Sequence, residues 1–264
     1  DLEMESVART LEYAFDDYAL ARFAEAVGAE QEAVRFMNRS SNYRNVIDPV
    51  TLLARGRTKD GGWRTPFDPL ASSHRRDDYC EGNGWQWTFF VPHDVEGLAS
   101  LLGGKKALEA RLDTLFSMSS ELRGDNVSGD ITGLIGQYAH GNEPGHHTIY
   151  MYNRVGRPDN TPAGICGNED TGQMSAWYVF SSLGFYPMNP ASGQYELGAP
   201  LFRKAVIRLA SGKKLVIRAD NLSDENIYVD KVYLNGQLLD RTYITFEEVQ
   251  QGGELRFEMK GDDL

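Results

Sequence analysis

Met4-Glu5-Ser6-Val7-Ala8-Arg9-Thr10-Leu11-Glu12-Tyr13-Ala14-Phe15-Asp16-Asp17-Tyr18 opens a run that continues to Val27. Its apolar residues Met4, Val7, Ala8, Leu11, Phe15 and Tyr18 recur every three or four positions, the spacing of one helix face. Gly28 ends the run, and a second helix is expected from Glu30 to about Arg44. The turn between them is too short for anything but an antiparallel neighbour. Asp48-Pro49 then stops the second helix, because a residue before proline is pushed out of the helical region. The first unit is therefore a helical hairpin.

Working outward, residues 51–83 are polar and turn-rich, with Asp60-Gly61-Gly62 and Pro66, and read as a long irregular connection. Trp63, Phe67, Tyr79, Trp85 and Trp87 in and near it favour an ordered, functional loop. Helices are expected at Trp85–Phe90, Asp94–Leu102 and Lys105–Met118, with Gly103-Gly104 between the last two. After a glycine-bearing connection over 119–141, a helix is expected over His146–Val155. Next comes Gly167-Asn168-Glu169-Asp170-Thr171-Gly172-Gln173-Met174-Ser175-Ala176-Trp177-Tyr178. Here Asp170 and Thr171 suit the N-cap of a helix that Gly184 ends. Beyond Pro187 six alternating or β-branched stretches follow: 195–197, 205–209, 214–219, 227–234, 242–246 and 254–259. Asn235-Gly236 between two of them is a hairpin signal. The fold class is mainly α with a β-rich C-terminus, the latter expected as a small antiparallel module. The boundary falls at 188/189, with no linker or low-complexity stretch dividing the two parts.

A chain of 264 residues, 41% hydrophobic and 11% aromatic, can bury a sizeable core. Its net charge of −11 argues against nucleic acid as a partner. No apolar run approaches the roughly 18–20 residues needed to span a bilayer. The chain starts at Asp1 without Met, so the natural N-terminus is expected to lie upstream, and the absence of a signal peptide says little. Cys80 and Cys166 do not make a disulfide framework; they read as free, semi-buried thiols, with pairing left open.

Three loops carry carboxylates beside Gly-Asn pairs: Glu81-Gly82-Asn83-Gly84-Trp85-Gln86-Trp87, His140-Gly141-Asn142-Glu143-Pro144-Gly145-His146-His147, and the stretch at Gly167. Glu81 sits in a turn next to Trp85-Gln86-Trp87, an aromatic surface suited to stacking on a sugar. Glu143 heads a helix, where the dipole favours a carboxylate; Asn142 and Glu143 oxygens would equally suit a hard cation such as calcium. His140, His146 and His147 lack the spacing of a zinc motif, and adjacent histidines point to different faces. Hydrogen bonding to a substrate or to the core is the better reading for them. Paired carboxylates, aromatic neighbours and an acidic chain together suggest carbohydrate chemistry, because glycoside hydrolysis needs one acid and one base or nucleophile.

These three motifs resemble those of glycoside hydrolase family 92, as do Asn42-Tyr43-Arg44-Asn45, Leu183-Gly184-Phe185-Tyr186-Pro187 and the run from Tyr195-Glu196-Leu197-Gly198 to Pro200-Leu201-Phe202. The resemblance covers nearly the whole chain. It implies a calcium-dependent exo-acting α-mannosidase, with α-1,2 linkages the expected target, working by single displacement with inversion. Carried over by motif position, the catalytic acid falls on Glu81 and the base on Asp170. Asn168 stands where some members have a supporting aspartate; it can hydrogen-bond but carries no charge. Asn142 and Glu143 fall in the calcium motif. Trp85, Gln86, His140, His146, His147 and Glu169 are assigned to the substrate. The resemblance further implies that residues 1–188 are part of an (α/α)6 barrel and that an N-terminal β-sandwich of the same polypeptide is missing. Open barrel faces would then be relieved by that domain or by self-association. Glycan degraders of this kind are usually exported, to the periplasm, cell surface or medium of a bacterium. Inversion requires the Glu81 and Asp170 carboxyls to stand roughly 6.5–9.5 Å apart. A non-catalytic, calcium-dependent glycan-binding module and a zinc hydrolase centred on the three histidines are the competing readings.

Overall fold

A computed structural model of the chain describes residues 3–155 and 171–261. These fall into two compact units, divided between Thr148 and Ile149.

The first unit opens with α1 (Ser6–Ala26) and α2 (Glu30–Ser40). Arg39, late in α2, bonds Asp17 of α1 at 3.0 Å, the pairing an antiparallel hairpin requires. The buried stripe of α1 is Val7, Ala8, Leu11, Ala14, Asp17, Ala21 and Ala24. Four of these are alanines, which lets the neighbours approach closely. Met4 lies outside the stripe, exposed like Tyr13, Leu20, Phe23 and Val27, and α2 adds exposed Val34. The chain leaves α2 as a 3-10 turn, Ser41–Val46, and enters the short antiparallel pair β1 (Ile47–Asp48) and β2 (Leu53–Ala54). Asp48 organises that turn, accepting from Val50 N at 2.9 Å and Thr51 Oγ1 at 3.1 Å and pairing with Arg55 at 2.9 Å.

The expected connection over 51–83 is ordered and mostly turns, containing β3 (Ala71–Ser73). Helices α3 (Gly84–Thr88), α4 (Val95–Leu102) and α5 (Lys105–Ser117) follow within a residue or two of expectation. Beyond them β4 (Arg123–Asn126) pairs parallel with β3, and β5 (Leu134–Ile135) pairs antiparallel with β6 (Tyr138–Ala139). The helix expected over His146–Val155 is broken. Glu143–Gly145 and Thr148–Tyr150 are 3-10 turns, and only Met151–Val155 is α-helical. Bonds from Gly145 N to Asn142 O and from His146 N to Glu143 O close three-residue rings, the tighter 3-10 pattern.

Asp94 caps α4, accepting from Gly97 N at 2.9 Å, from the Tyr43 hydroxyl at 2.6 Å and from Arg44 at 2.9 Å. Burial works against its charged form, but the Tyr43, Gly97 and Arg44 donors outweigh it and hold the carboxyl below its ordinary range. A depressed carboxyl contributes stability that is present above its unfolded value and lost as pH falls through its folded one. Asp94→Ala should therefore cost about 1–2 kcal/mol at pH 7. In urea unfolding the difference from the parent chain should shrink below about pH 4; a loss independent of pH would contradict this role.

In the second unit, α6 (Met151–Val155) and α7 (Gln173–Leu183) precede β7 (Phe185–Tyr186) and β8 (Gln194–Leu197). Tyr150 bonds Ser181 at 2.7 Å and stacks on Tyr186 at 5.1 Å, fixing the start of α6 against α7. The N-cap of α7 is Gly172, at φ 97°, with no side-chain cap. Thr171, expected as a cap, instead takes a left-handed turn at φ 57° and lies outside the helix; Asp170, the other expected cap, lies outside the described residues.

The remaining elements are β9 (Lys204–Arg208), β10 (Lys214–Asp220), β11 (Tyr228–Leu234), β12 (Gln237–Leu238), β13 (Tyr243–Thr245), α8 (Phe246–Gln251) and β14 (Gly253–Lys260). They build a five-stranded sheet, β12-β11-β14-β10-β9, and a three-stranded one, β13-β8-β7. Asn235 and Gly236 both take positive φ, 50° and 80°, the hairpin turn expected between β11 and β12. The module is not wholly antiparallel: β14 runs parallel to β10. Residues 221–252 intervene between these two strands, the long excursion a parallel pair needs, and α8 is its last turn. Leu215, Ile217 and Ala219 of β10 and Leu255, Phe257 and Met259 of β14 alternate into one core with Phe185, Leu197, Ile244 and Val249.

Candidate active site

Glu81 lies in the first unit on a tight turn that four side chains hold. The indole of Trp87 donates to the Cys80 carbonyl at 2.7 Å. Asn142 Nδ2 donates to the Glu81 carbonyl at 2.9 Å. Asn83 caps α3 reciprocally with Gln86: Gln86 N donates to Asn83 Oδ1 at 3.1 Å and Asn83 N to Gln86 Oε1 at 3.0 Å. Gly82 is required between them, since a Cβ there would lie 2.6 Å from Trp87 Nε1. Glu81 itself takes φ 48°, a left-handed conformation that non-glycine residues adopt reluctantly.

Buried Gln137 supports this turn from below. It accepts from Asn83 Nδ2 at 2.9 Å, donates to the carbonyls of Ser119 and Glu121, and takes Gln86 Nε2 on its own carbonyl at 3.1 Å. The start of α1 docks just upstream. Glu5 N donates to Asp77 O, Val7 N and Ala8 N share Asp78 O, and Ser6 Oγ reaches the Asp78 carboxylate at 3.0 Å. Two of the free N–H groups in the first turn of α1, those of Val7 and Ala8, are thus satisfied by the loop that carries Glu81.

Burial raises the Glu81 pKa, and the negative charge of Asp130 raises it further; His74 opposes them, while Glu143 and Glu5 add to the rise. A carboxyl that keeps its proton above the ordinary range is suited to general-acid work. Cys80 beside it is a free thiol, pushed up to about 12 by burial and then by Glu5, Glu81 and Glu12, and is no nucleophile at neutral pH.

The histidines turn inward. His147 Nε2 meets the Phe89 carbonyl at 2.7 Å and His146 Nε2 the His140 carbonyl at 3.0 Å, while His140 Nδ1 meets the Tyr138 hydroxyl at 2.8 Å. Burial pushes His140 and His147 down to about 4, so both are neutral at pH 7. Among the described residues no group of three or more His, Cys, Asp or Glu side chains is placed to hold a metal ion, which removes the basis for a zinc centre on these three. The oxygen donors of Asn142, buried, and Glu143, exposed, sit at the head of the turn beside Glu81. Both ends of the Gln86 amide are used, one by Asn83 N and the other on the Gln137 carbonyl, and the Arg111 guanidinium lies over the Trp85 ring, 5.7 Å from its centroid. Sequence reading passed over Asn83 and Gln137 as functional residues. Asn83 was legible as a cap three residues before Gln86; nothing local marks Gln137. Asn168, Glu169, Asp170 and Cys166 lie outside the described residues, and so does the Glu81–Asp170 separation.

A model of the glycosyl hydrolase family 92 catalytic domain matches residues 1–261 of the chain. The chain belongs to glycosyl hydrolase family 92. Its fold is similar to that of a family GH92 α-mannosidase from Bacteroides thetaiotaomicron solved in complex with mannoimidazole, at 42% identity and a TM-score of 0.90 over 98% of this chain and 37% of that one. A second Bacteroides thetaiotaomicron GH92 mannosidase, described as inverting, is 36% identical with a TM-score of 0.82 over 98% and 38%. An uncharacterized secreted glycosidase of Arthroderma benhamiae is 28% identical over 95% of this chain and 35% of its own length. This GH92 chain therefore spans little more than a third of the relatives it matches. No helix among its described residues is long and apolar enough to cross a membrane.

Proposed function

We infer that this chain carries part of the active site of an inverting exo-α-mannosidase acting on mannose-containing glycans, with α-1,2 linkages the first to test. The observation that carries the reading is Glu81: a half-buried carboxyl with a raised pKa, held on a left-handed turn in a family motif. Glu81 donates its proton to the glycosidic oxygen as the bond to the anomeric carbon breaks. Asp170 takes a proton from the water that attacks the opposite face, so the configuration inverts. Asn168 supports that carboxylate by a hydrogen bond. Trp85, Gln86, His140, His146, His147 and Glu169 contact the sugar or hold the groups that do.

Calcium is the implied cofactor, and the donor chemistry fits it. Asn142 and Glu143 offer hard oxygen ligands, and Asp130, Glu143 and Glu5 place negative charge around Glu81. When bound, calcium supplies a positive charge that holds sugar hydroxyls. Residues 1–188 suit part of an (α/α)6 barrel, with 189–264 as the β-rich module that follows it in sequence. The exposed Tyr13, Leu20 and Phe23 of α1, with Val27 at its end, suit a further portion of the same polypeptide, or a second copy. Export from the cell fits a glycan degrader and the description of the Arthroderma relative as secreted.

The test is mannose release from an α-1,2-mannobioside by the full-length polypeptide carrying this chain, after EDTA and then with calcium restored. Release lost with chelator and regained with calcium is expected. Retained mannoside binding without release under any metal would favour a glycan-binding module instead.

A further inference from the structure

We propose that Asn142 is a positioning residue for Glu81: its side-chain amide holds the left-handed turn that aims the carboxyl, a task separate from contact with a cation. This rests on reading Glu81 as the acid.

Glu81 is one of seven non-glycine residues at positive φ among the described residues, and such a conformation persists where its surroundings over-determine it. Here they do. In the left-handed turn the carbonyls of residues 80 and 81 are turned away from any helix or strand ladder and need side-chain donors. Trp87, from the loop's own helix, satisfies Cys80. Asn142 satisfies Glu81 from 61 residues further along the chain. Asn142 is 4% exposed, so water is a poor substitute if its amide is lost. A flip of the Glu81 peptide to a relaxed conformation would break the Asn142 bond and swing the carboxyl away from its present direction.

The amide is chosen for two faces. Asparagine carries a donor and an acceptor on one rigid plane. With Nδ2 committed to Glu81, Oδ1 is left for another use, including a cation. Aspartate would keep the oxygen and lose the donor; serine would lose the reach. Aspartate therefore separates the positioning task from ligation, and serine removes both.

The experiment compares two substrates in the full-length polypeptide with calcium present: an α-1,2-mannobioside, whose leaving sugar needs a proton, and 2,4-dinitrophenyl α-mannoside, whose leaving group does not. For Asn142→Asp, kcat on the mannobioside should fall roughly 10- to 100-fold, a part of the 10²–10⁴ that general acids supply. The fall on the aryl mannoside should be at least several-fold smaller. Calcium affinity, by titration calorimetry without substrate, should change far less than the mannobioside rate. Asn142→Ser should show the same split between leaving groups. Glu81→Gln run alongside keeps the two claims apart. If Glu81→Gln does not discriminate leaving groups, the acid assignment fails. If it does, and both Asn142 variants slow the two substrates equally or only through lost calcium, the positioning role is overturned. It is also overturned if neither variant folds by circular dichroism, since the amide would then serve the fold as a whole.

Discussion

Glu81→Gln should lower mannose release from an α-1,2-mannobioside by about 10²–10⁴-fold while leaving substrate affinity within a few-fold. The substitution keeps shape and hydrogen-bonding capacity but removes the transferable proton, so binding and chemistry part company. A sugar alkoxide is a poor leaving group, and the departing oxygen must be protonated as its bond to carbon breaks. Burial and the Asp130 charge raise the Glu81 pKa, so the acid stays protonated further towards neutral pH than an ordinary glutamate. Activity on the mannobioside should accordingly fall as pH rises through that raised value, and this basic limb should disappear in Glu81→Gln. A variant with normal turnover on the mannobioside, or one that keeps the same basic limb, would remove Glu81 as the acid.

Much of this arrangement is legible in residues 1–118, where helices announce themselves by period and by punctuation. Gly28 and Gly103 mark boundaries because their backbone chemistry is local. The reading failed where non-local contacts decide. His146 and His147 sit in a stretch with helical composition, yet their rings bond the carbonyls of His140 and Phe89 and the backbone tightens into 3-10 turns. The strand expected at 242–246 ends in a helix, α8, whose signal was present: Thr245 and Glu248 form a reciprocal cap. The parallel pairing of β14 with β10 left no trace in either strand, since alternation reports which face is buried and not the direction of the neighbour. In the site, Glu81 stood out through motif and company, but its support did not. Gln137 lies 54 residues from Asn83 and Asn142 lies 61 from Glu81, and no periodicity connects them.

Arg154→Ala should destabilise the second unit by about 3–5 kcal/mol at pH 7. Its partner Glu196 is 1% exposed and Arg154 25% exposed, so the pair is lopsided. Removing the arginine strands a buried carboxylate whose other oxygen has Asn153 at 3.4 Å and Thr242 at 3.3 Å among the described residues. Burial raises the Glu196 pKa even in the parent chain, with Arg154, Asn153 and Thr242 pulling against it; without Arg154 it should rise further. A carboxyl whose folded value exceeds its unfolded value favours the fold below the unfolded value, about 4.3, and loses that contribution as pH climbs through the folded one. The deficit of Arg154→Ala should therefore be largest at neutral pH and shrink on acidification, as at Asp94 but beginning at a higher pH, because the Glu196 carboxyl is raised and the Asp94 carboxyl lowered. Glu196→Gln should cost much less, because a neutral amide keeps an acceptor oxygen for Asn153 and Thr242 while the Arg154 side chain, 25% exposed, can reach water. Denaturant unfolding of both variants at pH 7 and pH 5 decides it. Equal losses, or a deficit for Arg154→Ala that does not narrow at pH 5, would mean that the ion pair is not what joins α6 to β8. That junction matters beyond stability, since α6 is the last described element before the segment that carries Asp170.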